Sequence, residues 1–449
     1  MTSQPPQQSR ALKRAVTGPM LLLFILGDVL GAGVYALAGT IAGEVGGAIW
    51  VPLLIALCFA LLTAGSYAEL VTKYPHAGAS AVFAGKAFKS PLISFLVGFC
   101  MLAAGVTSAA GLSLAFAGDY MAPFIELPPH IVALIFLVVI ALLNARGIKE
   151  SLSANLVMTV IEVSGLLLVI VAAVWFFRSG DADLSRAVQF KEGVNPAFAV
   201  LGAALLAFYS FVGFETSANL AEEVRNVRKV YPRALFGALL IAGAIYMGVG
   251  IAAATVMPIE ELVHSSAPLL EVVKASHLGI PPRLFAFIAL VAVANGALLT
   301  MIMSSRLAYG MSRQGLLPNA LSKVLPERRT PWVAIVATTM VAVILTLTGS
   351  LATLAETVVL LLLFVFISTN LAVLVLRRDV VDADHFRVPT WVPVLAIVSC
   401  VVLLTQQSAE TWLRAGALML VGVALYFLAR LGGTRPQFNT QLADADAEY

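Results

Sequence analysis

The sequence predicts an all-α membrane protein with twelve transmembrane helices. Sixty per cent of the 449 residues are apolar and only 12% are charged, whereas soluble domains are about one quarter charged. A membrane-spanning helix uses about 20 residues, so this apolar content suits about twelve spans with short connections. The apolar runs are separated by segments that contain Pro, Gly or charge. The composition therefore excludes a soluble enzyme, a nucleic-acid-binding protein and a disulfide-rich secreted domain.

Each span is placed at an apolar run, and none of the breaks is long enough for a separate soluble domain. Residues 1–18 are polar and basic and lack a signal-peptide cleavage pattern, so we expect a cytoplasmic tail. The predicted spans are 19–41, 48–72, 92–118, 130–145, 153–177, 197–221, 233–257, 284–309, 332–350, 355–376, 391–406 and 411–430. The predicted organisation is a tail 1–18, a first repeat 19–178, an external loop 179–196, a second repeat 197–376, two further spans in 390–430 and a cytoplasmic tail 431–449.

The basic residues predict which side of the membrane each segment faces. An even number of spans places both termini on one side. If that side is cytoplasmic, most of the 28 Lys and Arg residues fall in cytoplasmic segments, as the positive-inside rule requires. We therefore expect a multi-pass protein of the cell membrane with both termini in the cytoplasm. The basic residues left on the outside are Arg178, Arg186, Lys191, Lys274, Arg283 and Arg414.

The sequence contains no motif for catalysis, metal binding or ATP binding. Cys58, Cys100 and Cys400 lie inside apolar runs without the spacing of metal ligands. Neither a Walker A loop nor a His-Glu-x-x-His motif occurs. We therefore expect no cofactor, no metal, no ATP, no enzymatic activity and no nucleic-acid partner, and we expect the lipid bilayer to surround the protein.

Two predicted spans are interrupted by glycine beside an acidic residue. The stretch 26–35 (LGDVLGAGVY) contains three glycines and Asp28, and the stretch 208–217 (FYSFVGFETS) contains Gly213 and Glu215. Glycine costs about 1 kcal/mol relative to alanine inside a helix. Hydrocarbon cannot satisfy free backbone groups, so an unwound helix is tolerable only against a cavity or a ligand. Glycine also allows close helix packing, but matching interruptions in two halves favour inverted repeats with a binding site near mid-membrane.

Several further stretches carry a resemblance to a known family. They are GAGVY at 31–35, YPHAG at 74–78, NARGIKES at 144–151, GFE at 213–215, AEEVRN at 221–226, YPR at 231–233 and SRLAYGMSRQGLLP at 305–318. In this order they resemble the amino acid–polyamine–organocation superfamily of permeases, nearest to its bacterial cationic-amino-acid-transporter-like members. The resemblance covers about residues 15–430. It implies two inverted five-helix repeats (the LeuT-like fold), two added helices and transport by alternating access.

The resemblance also implies where the two ends of an amino acid bind. A carboxylate would meet the first interrupted span, because the free N–H groups of a helix N-terminus attract anions. An amine would meet unwound carbonyls of the sixth span. Asp28 lies three residues before the glycine loop of the first span, so its carboxylate could also reach the amine. Tyr209 and Phe211 either gate the site or pack as ordinary core aromatics. The candidate substrate-binding residues are Asp28, Ala32, Gly33, Val34, Phe208, Tyr209 and Phe211.

Glu162 is where the chain departs from the relatives it resembles. Proton-coupled relatives often carry a lysine on the fifth span, where sodium-coupled ones bind an ion, and the resemblance places Glu162 at that lysine. Asn295 faces it from the eighth span, and the carbonyls of Gly27 and Leu30 would complete the site. Three roles stay open for Glu162. It is a proton carrier, because burial favours a protonated carboxyl, or a ligand of a hard cation such as sodium, or a neutral structural carboxyl.

Glu215 and a charged loop are candidate gating elements. Glu215 resembles the acid that couples gating to binding in related exchangers; alternatively, its carboxylate caps the unwound segment. The loop after the sixth span mixes acidic and basic residues, which is typical of a solvated helix end. Alternatively, the loop forms a salt-bridge gate that breaks when the site opens inward. The candidate inner-gate residues are Lys73, Glu222, Glu223 and Arg313.

The expected function is secondary active transport of an amino acid. We expect proton-coupled uptake or exchange, and an acid-rich site without basic residues favours cationic or small neutral substrates. A polyamine or another organic amine is the alternative substrate, although such molecules lack the carboxylate that the glycine loop would bind. A non-transporting sensor or channel is the alternative from a different class.

Overall fold

A computed structural model describes residues 16–31, 33–75, 79–146, 151–180, 182–325, 328, 330–381 and 383–431. Within these residues all regular secondary structure is helical, which confirms the predicted all-α class. The predicted tails, 1–18 and 431–449, lie almost entirely outside the described residues.

The α-helices of the described chain have the following bounds: α1 Gly18–Val29, α2 Gly33–Val45, α3 Trp50–Lys73, α4 Ala79–Phe88, α5 Pro91–Phe116, α6 Pro129–Arg146, α7 Ser151–Ser179, α8 Pro196–Tyr209, α9 Val227–Val256, α10 Ile259–His264, α11 Pro268–Ala275, α12 Pro282–Arg313, α13 Trp332–Thr348, α14 Leu351–Leu376, α15 Trp391–Leu404 and α16 Ala409–Leu431. Short 3-10 helices cover Leu184–Val188, Phe214–Glu223 and Asn319–Ser322. Proline occupies the first turn of α5, α8 and α12, where its missing N–H removes no helical hydrogen bond.

Within the described chain eight α-helices are long and apolar enough to cross a membrane, α8 together with the 3-10 helix Phe214–Glu223 makes a ninth span, and α1 with α2 makes a tenth if the pair forms one span. This pair is bent by 42° at its break. The helices α13 and α15 are apolar but shorter, with 17 and 14 residues. The protein is therefore a multi-span membrane protein. The predicted total of twelve requires α13 and α15 to cross as well and stays a prediction.

Three short helices lie in segments predicted to be connections. The first, α4, packs against α5 and α14. The other two, α10 and α11, pack against α2, and α11 also contacts α7 and α12. Within α11, Leu269, Leu270, Val272 and Val273 are buried, so this short helix buries an apolar face against its neighbours. Runs of 6 to 10 residues are too short for a span-length search to detect.

The packing places the two interrupted helices at the centre and apolar side chains at the periphery. α1 contacts α7 and α9, and α2 contacts α8. Outside this centre, large apolar side chains such as Leu142, Val157, Met340 and Leu413 are exposed on α6, α7, α13 and α16. Exposed apolar surface of this extent is what a lipid-facing perimeter requires.

Candidate substrate-binding site

The two predicted interruptions meet at one place in the structure. The first separates α1 from α2, and the second separates α8 from the 3-10 helix Phe214–Glu223. A Cβ added to Gly33 would lie 2.7 Å from the Cα of Ser210. Gly213 has φ of +123°, and a Cβ there would lie 2.8 Å from the carbonyl oxygen of Asp28. Only glycine tolerates this approach and this backbone conformation, so these two glycines bring the breaks together.

A tyrosine hydroxyl bridges the two interruptions. The hydroxyl oxygen of Tyr246, on the continuous helix α9, lies 2.5 Å from the carbonyl oxygen of Val29 and 3.1 Å from that of Ser210. Both carbonyls stand at helix ends, where they have lost their helical partners, and the single proton of the hydroxyl is shared between them, with the shorter contact to Val29. The Tyr246 ring is buried and packs edge-on against Phe211, with ring centroids 5.3 Å apart.

A cavity of about 620 Å³ begins at the two interruptions. Its inner end is lined by residues of both breaks, including Gly31, Gly33 and Gly213. It is also lined by residues of α4 and α12, including Lys86 and Gln314, and the exposed Gln314 marks its mouth. The mouth lies on the side of the chain's N-terminal end, because Val16 donates a backbone hydrogen bond of 3.0 Å to Glu223, which also lines the cavity.

The side opposite the mouth is closed. The hydroxyl of Tyr120 donates to the carbonyl oxygen of Tyr35 on α2 at 2.9 Å. Further out, the backbone N–H of Asp119 donates to the Ser266 hydroxyl at 2.9 Å, and the Ser266 N–H returns a 3.0 Å bond to the Asp119 carboxylate. These contacts join the end of α5 to α2 and to the segment between α10 and α11. The cavity therefore opens on one side of the protein.

Two carboxylates line the inner end of the cavity. The carboxylate of Asp28 accepts a hydrogen bond from the hydroxyl of Thr216, so it joins α1 to the sixth predicted span. A carboxylate oxygen of Glu215 accepts the backbone N–H of Gly213 at 2.9 Å. This bond is the capping contact that was one alternative for Glu215, and its gating role stays a prediction. Among the described lining residues the cationic side chains are Lys86 and Arg306; Lys86 is on α4, and Arg306 lies near Glu223, which bonds to Val16 at the mouth side.

The predicted substrate-binding residues divide into two groups. Asp28, Gly33 and Tyr209 line the cavity, and the Tyr209 hydroxyl lies 3.0 Å from the hydroxyl of Ser108 on α5. Val34, Phe208 and Phe211 are buried beside the breaks and do not line it. Ala32 lies outside the described residues.

The carbonyls proposed as amine acceptors already take part in turns. The carbonyl oxygen of Phe208 accepts the N–H of Phe211 at 3.0 Å, and that of Tyr209 accepts the N–H of Val212 at 3.1 Å. A carbonyl oxygen has two lone pairs, so these bonds leave capacity for a substrate amine. The assignment of the carbonyls to the amine stays a prediction.

Comparisons with known proteins identify the family. Residues 19–431 match the family model described as amino acid permease. The chain belongs to the amino acid permease family. The chain is 27% identical over 445 residues to the branched-chain amino acid permease BcaP of Bacillus subtilis, covering 93% of each protein. It is 30% identical to the vacuolar cationic amino acid transporter 2 of Arabidopsis thaliana, over 82% of this chain and 60% of that protein. It is 27% identical to the methylthioribose transporter of Bacillus subtilis, over 95% of each.

Three of the predicted coupling residues of this permease, Gly27, Glu162 and Asn295, lie in a second buried cluster beside the first break, and the carbonyl of Leu30 as a member of the site stays a prediction. Glu162 is fully buried on α7, and neither carboxylate oxygen has a hydrogen-bond partner among the described residues. Asn295 of α12 is adjacent to this carboxyl group, and Tyr35 donates to the Glu162 backbone carbonyl at 2.8 Å. Leu30 is buried, and its N–H bonds to the carbonyl oxygen of Leu26 at 2.7 Å.

Two polar residues of this cluster were missed from the sequence. Asn155 accepts a 2.9 Å hydrogen bond from Asn295, and a Cβ on Gly27 would collide with the Thr159 hydroxyl. Asn155, Thr159 and Glu162 recur at helical spacing along an apolar span, so they share one face of α7. That spacing is a signal in the sequence that could have found them.

Two of the predicted inner-gate residues of the permease, Lys73 and Arg313, contact residues outside the predicted set, and the gating role of the set stays a prediction. The Lys73 ammonium donates to the carbonyl oxygens of Leu376 and Asp379, at 2.7 and 2.5 Å. It therefore caps the C-terminal end of α14. The Arg313 guanidinium lies 5.9 Å from the ring centroid of Tyr309 on its own helix. Glu223 lines the cavity near Arg306, and Glu222 lies beside it in the same 3-10 helix.

A buried ion pair close to Lys73 was also missed. The Arg377 guanidinium donates to both carboxylate oxygens of Glu69, at 2.8 and 2.7 Å. The same carboxylate accepts the N–H of Val388 at 3.0 Å, and Arg377 also donates to the Val388 carbonyl and to the hydroxyl of Thr390. This bidentate pair joins α3 to α14 and to the segment that leads into α15.

Proposed function

We propose that this permease is a secondary active transporter of amino acids that works by alternating access. The observation that carries the proposal is the meeting of two interrupted helices at one cavity, which is lined both by Gly33 at the N-terminus of α2 and by Asp28. An amino acid presents a carboxylate and an ammonium group a few ångströms apart. The helix N-terminus suits the carboxylate, and Asp28 suits the ammonium.

The charges of the cavity favour cationic or small neutral amino acids over acidic ones. Asp28 and Glu215 stand at the inner end, and the cationic residues of the described lining are Lys86 on α4 and Arg306 near Glu223. A second anionic group on the substrate would face these two carboxylates with no cation beside it. Such like-charge contacts oppose binding.

We propose that the structure represents the state open to the cytoplasm. The mouth lies on the side of the N-terminal end, which the distribution of basic residues assigns to the cytoplasm of a cell-membrane protein. The proposed architecture has twelve spans, of which α13 and α15 are two. Spans one to five and six to ten form two inverted repeats, whose first members are the two interrupted helices.

We propose that Glu162 carries the coupling proton. A charged carboxylate with no hydrogen-bond partner would be very costly in a dry interior, and both Glu162 oxygens lack a partner among the described residues. The neutral, protonated group therefore fits this state. Opening to the other side would expose Glu162 to release the proton. In the alternative, a sodium ion would be bound by the oxygens of Glu162 and its neighbours, and uptake would depend on a sodium gradient and not on a pH gradient. Neither mode needs ATP or covalent chemistry.

Uptake into proteoliposomes tests the proposal. Labelled alanine, leucine, lysine, glutamate, putrescine and methylthioribose are each offered with a pH gradient, with a sodium gradient and with neither. We expect saturable accumulation of a neutral or cationic amino acid that a pH gradient drives, and counterflow when the vesicles are preloaded. Uptake of putrescine or methylthioribose alone would refute amino acid transport. Accumulation driven only by a sodium gradient would refute the proton as the coupling ion.

A further inference from the structure

The side chain of Ser210 stands unpartnered at the meeting point of the two interruptions. Ser210 is 1% exposed and lines the cavity. Its hydroxyl oxygen has no hydrogen-bond partner within the described part of the chain. A buried hydroxyl left without a partner costs about 1–3 kcal/mol. A group kept at such a cost at the wall of a binding cavity needs an explanation.

The backbone of Ser210 is fixed while its hydroxyl is free. The N–H of Ser210 donates to the carbonyl oxygen of Ala207 at 3.1 Å, and its carbonyl oxygen accepts the Tyr246 hydroxyl at 3.1 Å. These two bonds hold the backbone of Ser210 in this structure. Rotation about a single bond moves the hydroxyl between staggered positions.

The hydroxyl points at the first turn of α2. A Cβ added to Gly33 would lie 2.9 Å from the Ser210 hydroxyl oxygen, so the oxygen occupies the space that a side chain at Gly33 would take. The N–H groups of the first turn of a helix have no helical acceptor. A hydroxyl beside them adds one more donor that converges on the same place.

We propose that the Ser210 hydroxyl donates a hydrogen bond to the carboxylate of the transported amino acid, together with the backbone N–H groups at the start of α2. This assignment rests on the proposed function and adds a residue of the sixth span to the carboxylate site. One oxygen of the carboxylate is held by α2 and the other by Ser210. The ligand therefore connects the two interrupted helices directly, and a ligand without a carboxylate makes no such connection.

The test compares amino acids with their decarboxylated analogues on purified full-length protein. Binding of lysine and cadaverine, leucine and 3-methylbutylamine, and alanine and ethylamine is measured by calorimetry for the wild type, Ser210→Ala and Ser210→Cys. Ser66→Ala is the matched control, because Ser66 on α3 is also buried with an unpartnered hydroxyl but lies away from the cavity.

We expect Ser210→Ala to weaken binding of the amino acid about tenfold or more, as loss of a hydrogen bond to a charged group implies. Binding of the matching amine should stay within about twofold of the wild type. Ser210→Cys should behave like Ser210→Ala, because a thiol is a weak donor. The melting temperature of the ligand-free variant should equal or exceed that of the wild type, since the mutation removes an unsatisfied group.

The outcomes separate this assignment from the proposed function. If the wild type binds none of the three amino acids, the proposed function fails, and this assignment fails with it. If the wild type binds an amino acid and Ser210→Ala binds it equally well, only the role of Ser210 is refuted. An equal loss for the amino acid and its amine would also refute it, because the hydroxyl would then serve the ammonium group or the packing.

Discussion

Two buried glutamates in two regions of this permease differ in whether their carboxylates have hydrogen-bond partners. Glu69, near the end of α3, is 1% exposed and accepts hydrogen bonds from Arg377 and Val388. Glu162, in the middle of α7, is equally buried, and its carboxylate oxygens have no partner among the described residues. The first region has its charges paired and holds helices together. The second keeps an unsatisfied group beside the interrupted helices, which is typical of a site that changes its protonation or its ligand.

The largest effect on stability is expected from Arg377→Ala. Removing one partner of a buried pair leaves the Glu69 charge uncompensated, which costs about 3–5 kcal/mol. Thermal unfolding in detergent should show a large fall in melting temperature. Arg378→Ala is the control, because the neighbouring Arg378 is exposed. Equal melting temperatures for the two variants would show that the Glu69–Arg377 pair does not stabilise the fold.

Gly33→Ala should abolish or strongly weaken substrate binding. The added Cβ would lie 2.7 Å from the backbone of Ser210, so the two interruptions must separate, at a cost of about 1–3 kcal/mol for overpacking. The control is Gly202→Ala on α8, where a Cβ meets nothing within 4 Å. Wild-type affinity in Gly33→Ala, measured by calorimetry, would show that the substrate binds elsewhere.

Asp28→Asn should weaken binding of an amino acid about tenfold or more, because a charged partner of the ammonium group becomes neutral. The melting temperature should change little, since an amide still accepts the hydrogen bond of Thr216. Glu44→Gln, an exposed residue of the same span, serves as the control. Binding that is unchanged in Asp28→Asn would remove Asp28 from the site.

The smallest effect on stability is expected from Glu162→Gln, within about 1 kcal/mol, because a protonated carboxyl and an amide are similar in size and charge. If Glu162 carries the proton, this variant loses accumulation driven by a pH gradient and keeps part of its exchange. Glu69→Gln in the same unfolding assay should be destabilised much more. A pH dependence of transport equal to that of the wild type would reject Glu162 as the carrier.

The sequence predicted the parts of the fold that depend on local chemistry. Apolar runs placed the spans, and glycines beside Asp28 and Glu215 located both interruptions, because unwinding in hydrocarbon needs these residue types. The family resemblance is confirmed by the match over residues 19–431. The all-helical membrane architecture is confirmed as well.

Contacts between distant residues could not be predicted in the same way. Lys73 was a candidate partner for the acidic residues of the inner loop in one of two alternatives, and it caps the end of α14, 303 residues away in sequence. Glu69 and Arg377 are separated by 308 residues, and no local pattern relates them. Tyr246 sits in an apolar span, where the sequence does not distinguish a bridging tyrosine from a packed one.

The Tyr246 bridge has a mechanical consequence. The phenolic oxygen of Tyr246 links the ends of the two interrupted helices to the continuous helix α9. Neither interrupted helix can move relative to α9 without breaking its contact with this hydroxyl. A displacement of one is therefore transmitted to the other. We therefore expect the two interruptions to act as one hinge, with α9 as the fixed element about which they rotate.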